Sequence, residues 1–162
     1  MSNPLRLCIL ILGGLLLAVP GLVNANGADG ERAHRHGPYT IHYNTIPSTA
    51  LGADVARHYG SVRSAGRGLL NIAVLRDSDA EDDGDSDGQA AAITAKIQAW
   101  SHSLVGQRNE IALREVRDRG AIYYIGQFRI RGDEHLRFEL QVRPDGARQA
   151  IPVRFENRFI GR

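Results

Sequence analysis

The sequence predicts an all-β fold, an immunoglobulin-like two-sheet antiparallel β-sandwich with one short helix. Three observations point there. Stretches of alternating apolar and polar residues recur from residue 38 onward, clusters of Gly, Pro and Asp separate them, and one run is apolar on both faces. Alternation is the period of a half-buried strand, and such strands close a core by packing sheet on sheet. The Cys and Trp pattern of antibody domains is missing, so the likeness is one of architecture.

Tyr39, Ile41 and Tyr43 alternate with Thr40, His42 and Asn44, which predicts a first strand ended by Pro47-Ser48-Thr49. A short helix is expected from Gly52 to His58, because it places Val55 and Tyr59 four apart on one face. Leu69 to Leu75 is apolar on both faces except at Asn71. That predicts a central strand covered on each side, inside which Asn71 needs hydrogen-bond partners. Residues 90 to 105 read two ways. Ile93, Ile97, Trp100 and Leu104 fit helical spacing, whereas Ile93, Ala95, Ile97 and Ala99 fit one face of a strand. Periodicity alone leans to the helix.

Ile111, Leu113 and Val116 are expected to form one strand with a bulge, and Ile122, Tyr124, Gly126, Phe128 and Ile130 the next. Leu136, Phe138, Leu140 and Val142 mark a third, and Ile151, Val153, Phe155 and Phe159 a fourth. The turns between them, Asp118-Arg119-Gly120, Gly132-Asp133-Glu134 and Pro144-Asp145-Gly146, predict an antiparallel meander. Pro152 suits an edge strand or a bulge.

The N-terminus reads as an address. Arg6 precedes an uncharged apolar run from Leu7 to Val23 that ends in Val23-Asn24-Ala25. A basic flank, an apolar run and small residues before the cut are the features of a cleavable secretion signal, so residues 1–25 are expected to be removed after Ala25. A membrane-spanning helix takes about 20 apolar residues, and Gly13, Gly14, Pro20 and Gly21 weaken this run further. A periplasmic protein, not integral to the membrane after cleavage, is the expectation. The only cysteine, Cys8, leaves with the signal, so stability must come from an ordinary core rather than from disulfides. Residues 26–37 are polar and read as a flexible leader, leaving 38–162 as a single sandwich domain.

The chain holds 20 Lys and Arg against 18 Asp and Glu. Seven of the acids fall between Asp77 and Asp87, so residues 77–88 read as an exposed acidic loop beside a basic body. Arginines spread along strands normally form a solvated face, and the functional alternative is a surface that attracts acidic partners or lipid head groups. Export disfavours nucleic acid as a partner.

No motif assigns chemistry. Asp83-Gly84-Asp85-Ser86-Asp87-Gly88 has the spacing of the first half of a calcium loop, but position twelve is Thr94 instead of the Glu that closes the cage. His34, His36 and His42 offer imidazoles for copper or zinc, with two of the three in the expected leader. His58, His102 and His135 are isolated in sequence and read as ordinary residues. There is no Gly-x-Ser-x-Gly, no cysteine nucleophile after cleavage, and Gly60, Gly66 and Gly68 match no phosphate-loop spacing. No catalytic, cofactor-binding or metal residue is therefore assigned, and the protein is expected not to be an enzyme. Tyr124 shares the face of Phe128 and is expected in the core; Tyr123 faces the other way, either to a partner or beneath a loop.

Several blocks in order carry a resemblance: Tyr39-Thr40-Ile41-His42-Tyr43, Tyr59-Gly60-Ser61-Val62-Arg63-Ser64, Leu70-Asn71-Ile72-Ala73-Val74, Leu104-Val105-Gly106-Gln107, Gly120 to Ile125 and Leu136 to Leu140. Over residues 37 to 159 the chain resembles the domain-of-unknown-function family numbered 4426, small exported proteins of gammaproteobacteria. The resemblance implies a periplasmic β-sandwich with residues 90 to 105 as a strand, and it implies no activity. The functional expectation is a non-enzymatic domain that binds a periplasmic protein or envelope component through a sheet face, an edge strand or the loops at one end. The alternative is metal binding or sensing through loop 77–88 or the His-containing leader.

Overall fold

The computed structural model describes residues 32–77 and 90–160. The expected signal 1–25, residues 26–31 of the leader and all of the acidic loop but Asp77 lie outside the described residues.

Two antiparallel sheets face each other. The larger has the order β1 (Arg32–His36), β2 (Tyr39–Pro47), β3 (Arg67–Arg76), β8 (Ala121–Arg129), β7 (Leu113–Asp118), with the short β4 (Ala91–Ala92) also on β3. The smaller has the order β10 (Ile151–Phe159), β9 (Glu134–Pro144), β5 (Ala95–Ser103), β6 (Arg108–Glu110). The predicted sandwich is therefore the observed fold. Helix α1 (Ala53–His58), capped by Gly52, is the one α-helix of the described residues and follows a 3-10 turn at Ser48–Ala50.

The inner faces fill the core. Ile41 of β2 and Leu70, Ile72 and Val74 of β3 are fully buried against Phe138, Leu140 and Val142 of β9 and Val153 of β10. Aromatic rings make the thickest layer. Phe138 stacks on Phe155 at 4.9 Å and meets Phe128 edge-on at 4.9 Å, while Tyr43 stacks on Phe155 at 4.5 Å. Such pairs add about 0.5–1.5 kcal/mol each beyond the area they bury.

The predicted central strand is β3, paired to β2 on one side and to β8 and β4 on the other. Its second face is covered too. Leu51, Ala56, Leu69 and Ile125 form a smaller cluster in which helix α1 and the turn before it lie on the outside of the larger sheet. The buried Ser48 hydroxyl ties this cover down, donating to the Ser64 carbonyl and accepting from the Ser64 amide, each at 2.9 Å. Asn71 lies opposite Asn44 and lines a cavity of about 30 Å³ under the same cover, and its Oδ1 has no hydrogen-bond partner in the protein. The acceptor half of the expected hydrogen bonding of Asn71 is thus not met by side chains or backbone.

Three expectations need correction. Residues 32–36, assigned to the leader, form β1, because an edge strand needs only backbone pairing to β2 and a tight turn. Gly37, with φ +55, and Pro38 supply that turn. Residues 95–103 form a strand, as the family resemblance implies and against the helical lean: Ala99 and Ser101 point inward, and Trp100 and His102 outward. The meander is not continuous. β7–β8 and β9–β10 are hairpins in different sheets. Both edges of β8 are occupied, by β3 and β7, so β9 has to pair in the opposite sheet.

Ile111 belongs to the passage between sheets rather than to β7: its amide donates to the Ala99 carbonyl at 2.8 Å after β6 has paired with β5. Gly126 makes the passage possible. A Cβ there would sit 2.6 Å from Ile111 Cγ2 and 2.8 Å from the Ala112 carbonyl.

Candidate docking end of the sandwich

The imidazoles considered for a metal do not gather. His34 and His36 pair with Ile41 and Tyr39 and so share their core-side face, whereas His42 pairs with Ala33 on the opposite face. Thr94 donates to the Asp145 carboxylate at 3.5 Å, and the acidic run Asp83–Gly88 lies outside the described residues. Among the described residues no three His, Cys or carboxylate side chains are grouped to hold a metal ion.

Tyr124 and Tyr123 separate as the alternation requires. Tyr124 is buried, and its hydroxyl accepts from the Ala95 amide at 2.8 Å and donates to Glu115 at 3.2 Å, joining the two sheets. Burial pushes the Tyr124 hydroxyl above its usual pKa, and a hydrogen bond from Arg117 holds the Glu115 carboxyl below its own. Tyr123 packs in the smaller cluster with Val55, Tyr59 and Val116, beneath the helix and loop rather than toward a partner.

Among the described residues no helix covers the outer face of the smaller sheet. Its rows pair His102 with Arg137 and Glu156, and Trp100 with Glu139 and Arg154. Glu156 accepts from Arg137 at 2.9 Å and meets His135 at 3.1 Å, and Glu139 meets His102 at 3.4 Å. The Arg137 hydrogen bond is the main reason the Glu156 carboxyl lies below the usual carboxylate range. The Arg108 guanidinium sits 4.2 Å above the Trp100 ring. His102, His135, Arg137 and Glu156, with Ser103 and Leu104, line a pocket of about 180 Å³ at one end of this face. His102 and His135, isolated in sequence, are neighbours through the β5–β9 register; the signal for that was the alternation itself.

The same end of the sandwich collects apolar surface. Among the described residues the exposed large hydrophobics are Val62 (56%), Leu104 (78%), Val105 (90%) and Ile160 (70%). Leu104 and Val105 follow the last residue of β5, Ile160 follows the last of β10, and Val62 precedes β3. Ser103 pairs with Leu136, Phe159 with Glu134 and Gly68 with Phe128, so these strand ends lie together. Hydrogen bonds cross-link the loops. Arg131 donates to the Gln107 side chain at 2.7 Å, the Ile130 amide to the Gly66 carbonyl at 2.9 Å, and the Gln127 side chain to the Val62 carbonyl at 3.0 Å.

Basic residues surround this apolar group. Arg67, Arg108, Arg129, Arg131 and Arg158 are all exposed at this end, and Arg67 and Arg129 are direct cross-strand neighbours. Like charges placed opposite each other destabilise a sheet, so their pairing has no structural reward. The acids nearby are engaged: Glu134 accepts from the Arg131 amide at 2.9 Å and Glu156 pairs with Arg137 and His135.

The family model for a domain of unknown function, DUF4426, matches residues 33–160. The chain belongs to the DUF4426 family. A crystal structure of a DUF4426 family protein from Pseudomonas aeruginosa is 28% identical, with a TM-score of 0.66 over 82% of this chain and 97% of that one. FetP of uropathogenic E. coli is 10% identical, with a TM-score of 0.54 over 81% and 94% of the two chains. A copper-bound variant of P19 from Campylobacter jejuni, also 10% identical, has a TM-score of 0.53 over 82% and 98%. Those two likenesses establish the shared fold. No curated protein matches the sequence. Among the described residues no helix is long and apolar enough to cross a membrane.

Proposed function

We propose that this DUF4426 protein is an exported, non-enzymatic interaction domain that engages a protein or envelope component through the loop end bearing Val62, Leu104, Val105 and Ile160. The observation that carries the reading is the collection of exposed aliphatic side chains on the loops and strand ends at a single end. Solvent-exposed apolar groups of this kind mark contact surfaces, and loops held on a rigid sandwich are where binding residues concentrate. The apolar run from Leu7 to Val23, followed by the expected cut after Ala25, supports delivery to the periplasm, and FetP, a fold relative, was expressed there.

An envelope preparation tests the reading. Wild type is expected to be retained by it, and the double variant Leu104→Asp, Val105→Asp to be released at least tenfold more readily while keeping its melting temperature. Equal retention of the two proteins contradicts the assignment of the surface.

Metal binding or sensing is the competing reading, raised by the copper-bound variants of FetP and P19 among the fold relatives. In this chain it would rest on loop 77–88 or on His34 and His36 of the edge strand β1, with His42 of the neighbouring β2 on the opposite face. Calorimetry with copper, zinc and calcium decides it: binding tighter than millimolar that also raises the melting point favours the metal.

A further inference from the structure

Resting on that reading of the loop end, we propose that its partner is an anionic phospholipid surface, on which the protein docks as a peripheral domain. The aliphatic contacts come from three separate places in the chain, residue 62, the 104–105 turn and residue 160. Of the four, only Leu104 lines one of the described pockets. A bilayer interface accepts several points at once, because it has no fixed shape to match.

The 104–105 pair shows the feature most sharply. Leu104 and Val105 occupy a turn closed by the Gly106 amide on the Ser103 carbonyl at 3.0 Å and the Ser103 amide on the Gln107 carbonyl at 3.0 Å. Gly106, at φ +81, supplies the left-handed conformation that the turn needs. Turns of this kind normally carry polar residues, and here two positions open to water are aliphatic. Neither packs in the core, so folding alone does not account for them.

Charge completes the match. Arg67, Arg108, Arg129, Arg131 and Arg158 flank the aliphatic residues, and they outnumber the acids Asp133, Glu134 and Glu156 of this end. Anionic leaflets attract basic residues held at their surface, within about one Debye length of 8–10 Å. A pocket of about 180 Å³ has Leu104 on its wall together with His102, Ser103, His135 and Arg137, so basic and polar groups lie directly beside the proposed point of insertion. Its one carboxylate, Glu156, is already matched by Arg137 and His135. The geometry thus combines aliphatic insertion with a basic collar.

Flotation with vesicles tests the proposal, using wild type and variants with identical N-termini so that the difference isolates this end. Vesicles of equal phosphatidylcholine and phosphatidylglycerol are expected to carry wild type upward, and phosphatidylcholine alone to carry much less. Leu104→Asp with Val105→Asp should weaken binding at least tenfold. Arg129→Gln with Arg158→Gln should weaken it roughly 25-fold, given about fivefold per basic residue at an anionic surface, and should flatten its salt dependence. Binding of wild type to both vesicles alike, or undiminished binding of the aspartate variant, overturns the proposal. If vesicles fail while the envelope preparation still retains the protein through Leu104 and Val105, the partner is a protein: the lipid proposal falls and the interaction reading stands. If neither retains it, both fall.

Discussion

The two ends of this sandwich are built from the same strands and differ in what their turns present. At one end, Gly37-Pro38, Asp118-Arg119-Gly120 and Pro144-Asp145-Gly146 are short and polar, with Gly37, Arg119, Gly120 and Gly146 at positive φ. At the other, the turns display Leu104, Val105, Val62 and Ile160 among arginines. The core between them is indifferent to the contrast, since its aromatic and aliphatic layers are closed by the inner faces alone. Turn chemistry at the first end is what strand connection demands. At the second the exposed aliphatic residues exceed that demand, and this excess is what the proposed docking role explains.

Breaking the shared core should remove both ends together. Phe138→Ala deletes a fully buried ring that touches Phe128, Phe155 and Phe159, and it is expected to cost about 3–5 kcal/mol in chemical denaturation. Gly126→Ala should cost about 1–3 kcal/mol, because the passage at Ile111 and Ala112 has to move away from the new methyl group. In both variants loss of binding should track loss of folded protein.

Matched glycine substitutions sharpen the comparison. Gly146→Ala at the polar end and Gly106→Ala at the apolar end each force a left-handed alanine with no neighbour closer than 3.9 Å. Each should cost about 1–2 kcal/mol of stability, yet only Gly106→Ala should also weaken retention by the envelope fraction. Equal effects of the two on retention would remove the distinction between the ends. The smallest expected effect concerns charge. Arg137→Gln should raise the pKa of Glu156, read by carboxyl NMR, since that arginine is the first cause of its depression. With its folded pKa held low, Glu156 adds stability above the ordinary carboxylate range that is lost as pH falls through the folded value.

Much of the fold was legible where one face is buried and the other wet. The alternations at Tyr39–Tyr43, Leu136–Val142 and Ile151–Phe159 gave β2, β9 and β10, and Pro152 does lie on an edge strand. Residues 95–103 were not legible by period, because Ile97, Trp100 and Leu104 sit on an inner face, an outer face and a turn while keeping helical intervals. β1 carries no large apolar residue, so hydropathy could not find it; the Gly37-Pro38 turn just before β2 was the available signal. The separation of the last four strands into two sheets depended on β8 already having two partners, a fact of long-range pairing. The end proposed for docking was the least legible. Val62, Leu104, Val105 and Ile160 are ordinary aliphatics in sequence, and only the strand ends bring them to one place.

The most direct test of the central claim is site-specific photocrosslinking in living cells, with the same crosslinker placed at Val105 and, in a second protein, at Asp145 of the opposite end. Capture of envelope lipid or a discrete partner from position 105, and none from position 145, is the predicted result. Equal capture from the two positions, or capture from 145 alone, would contradict it.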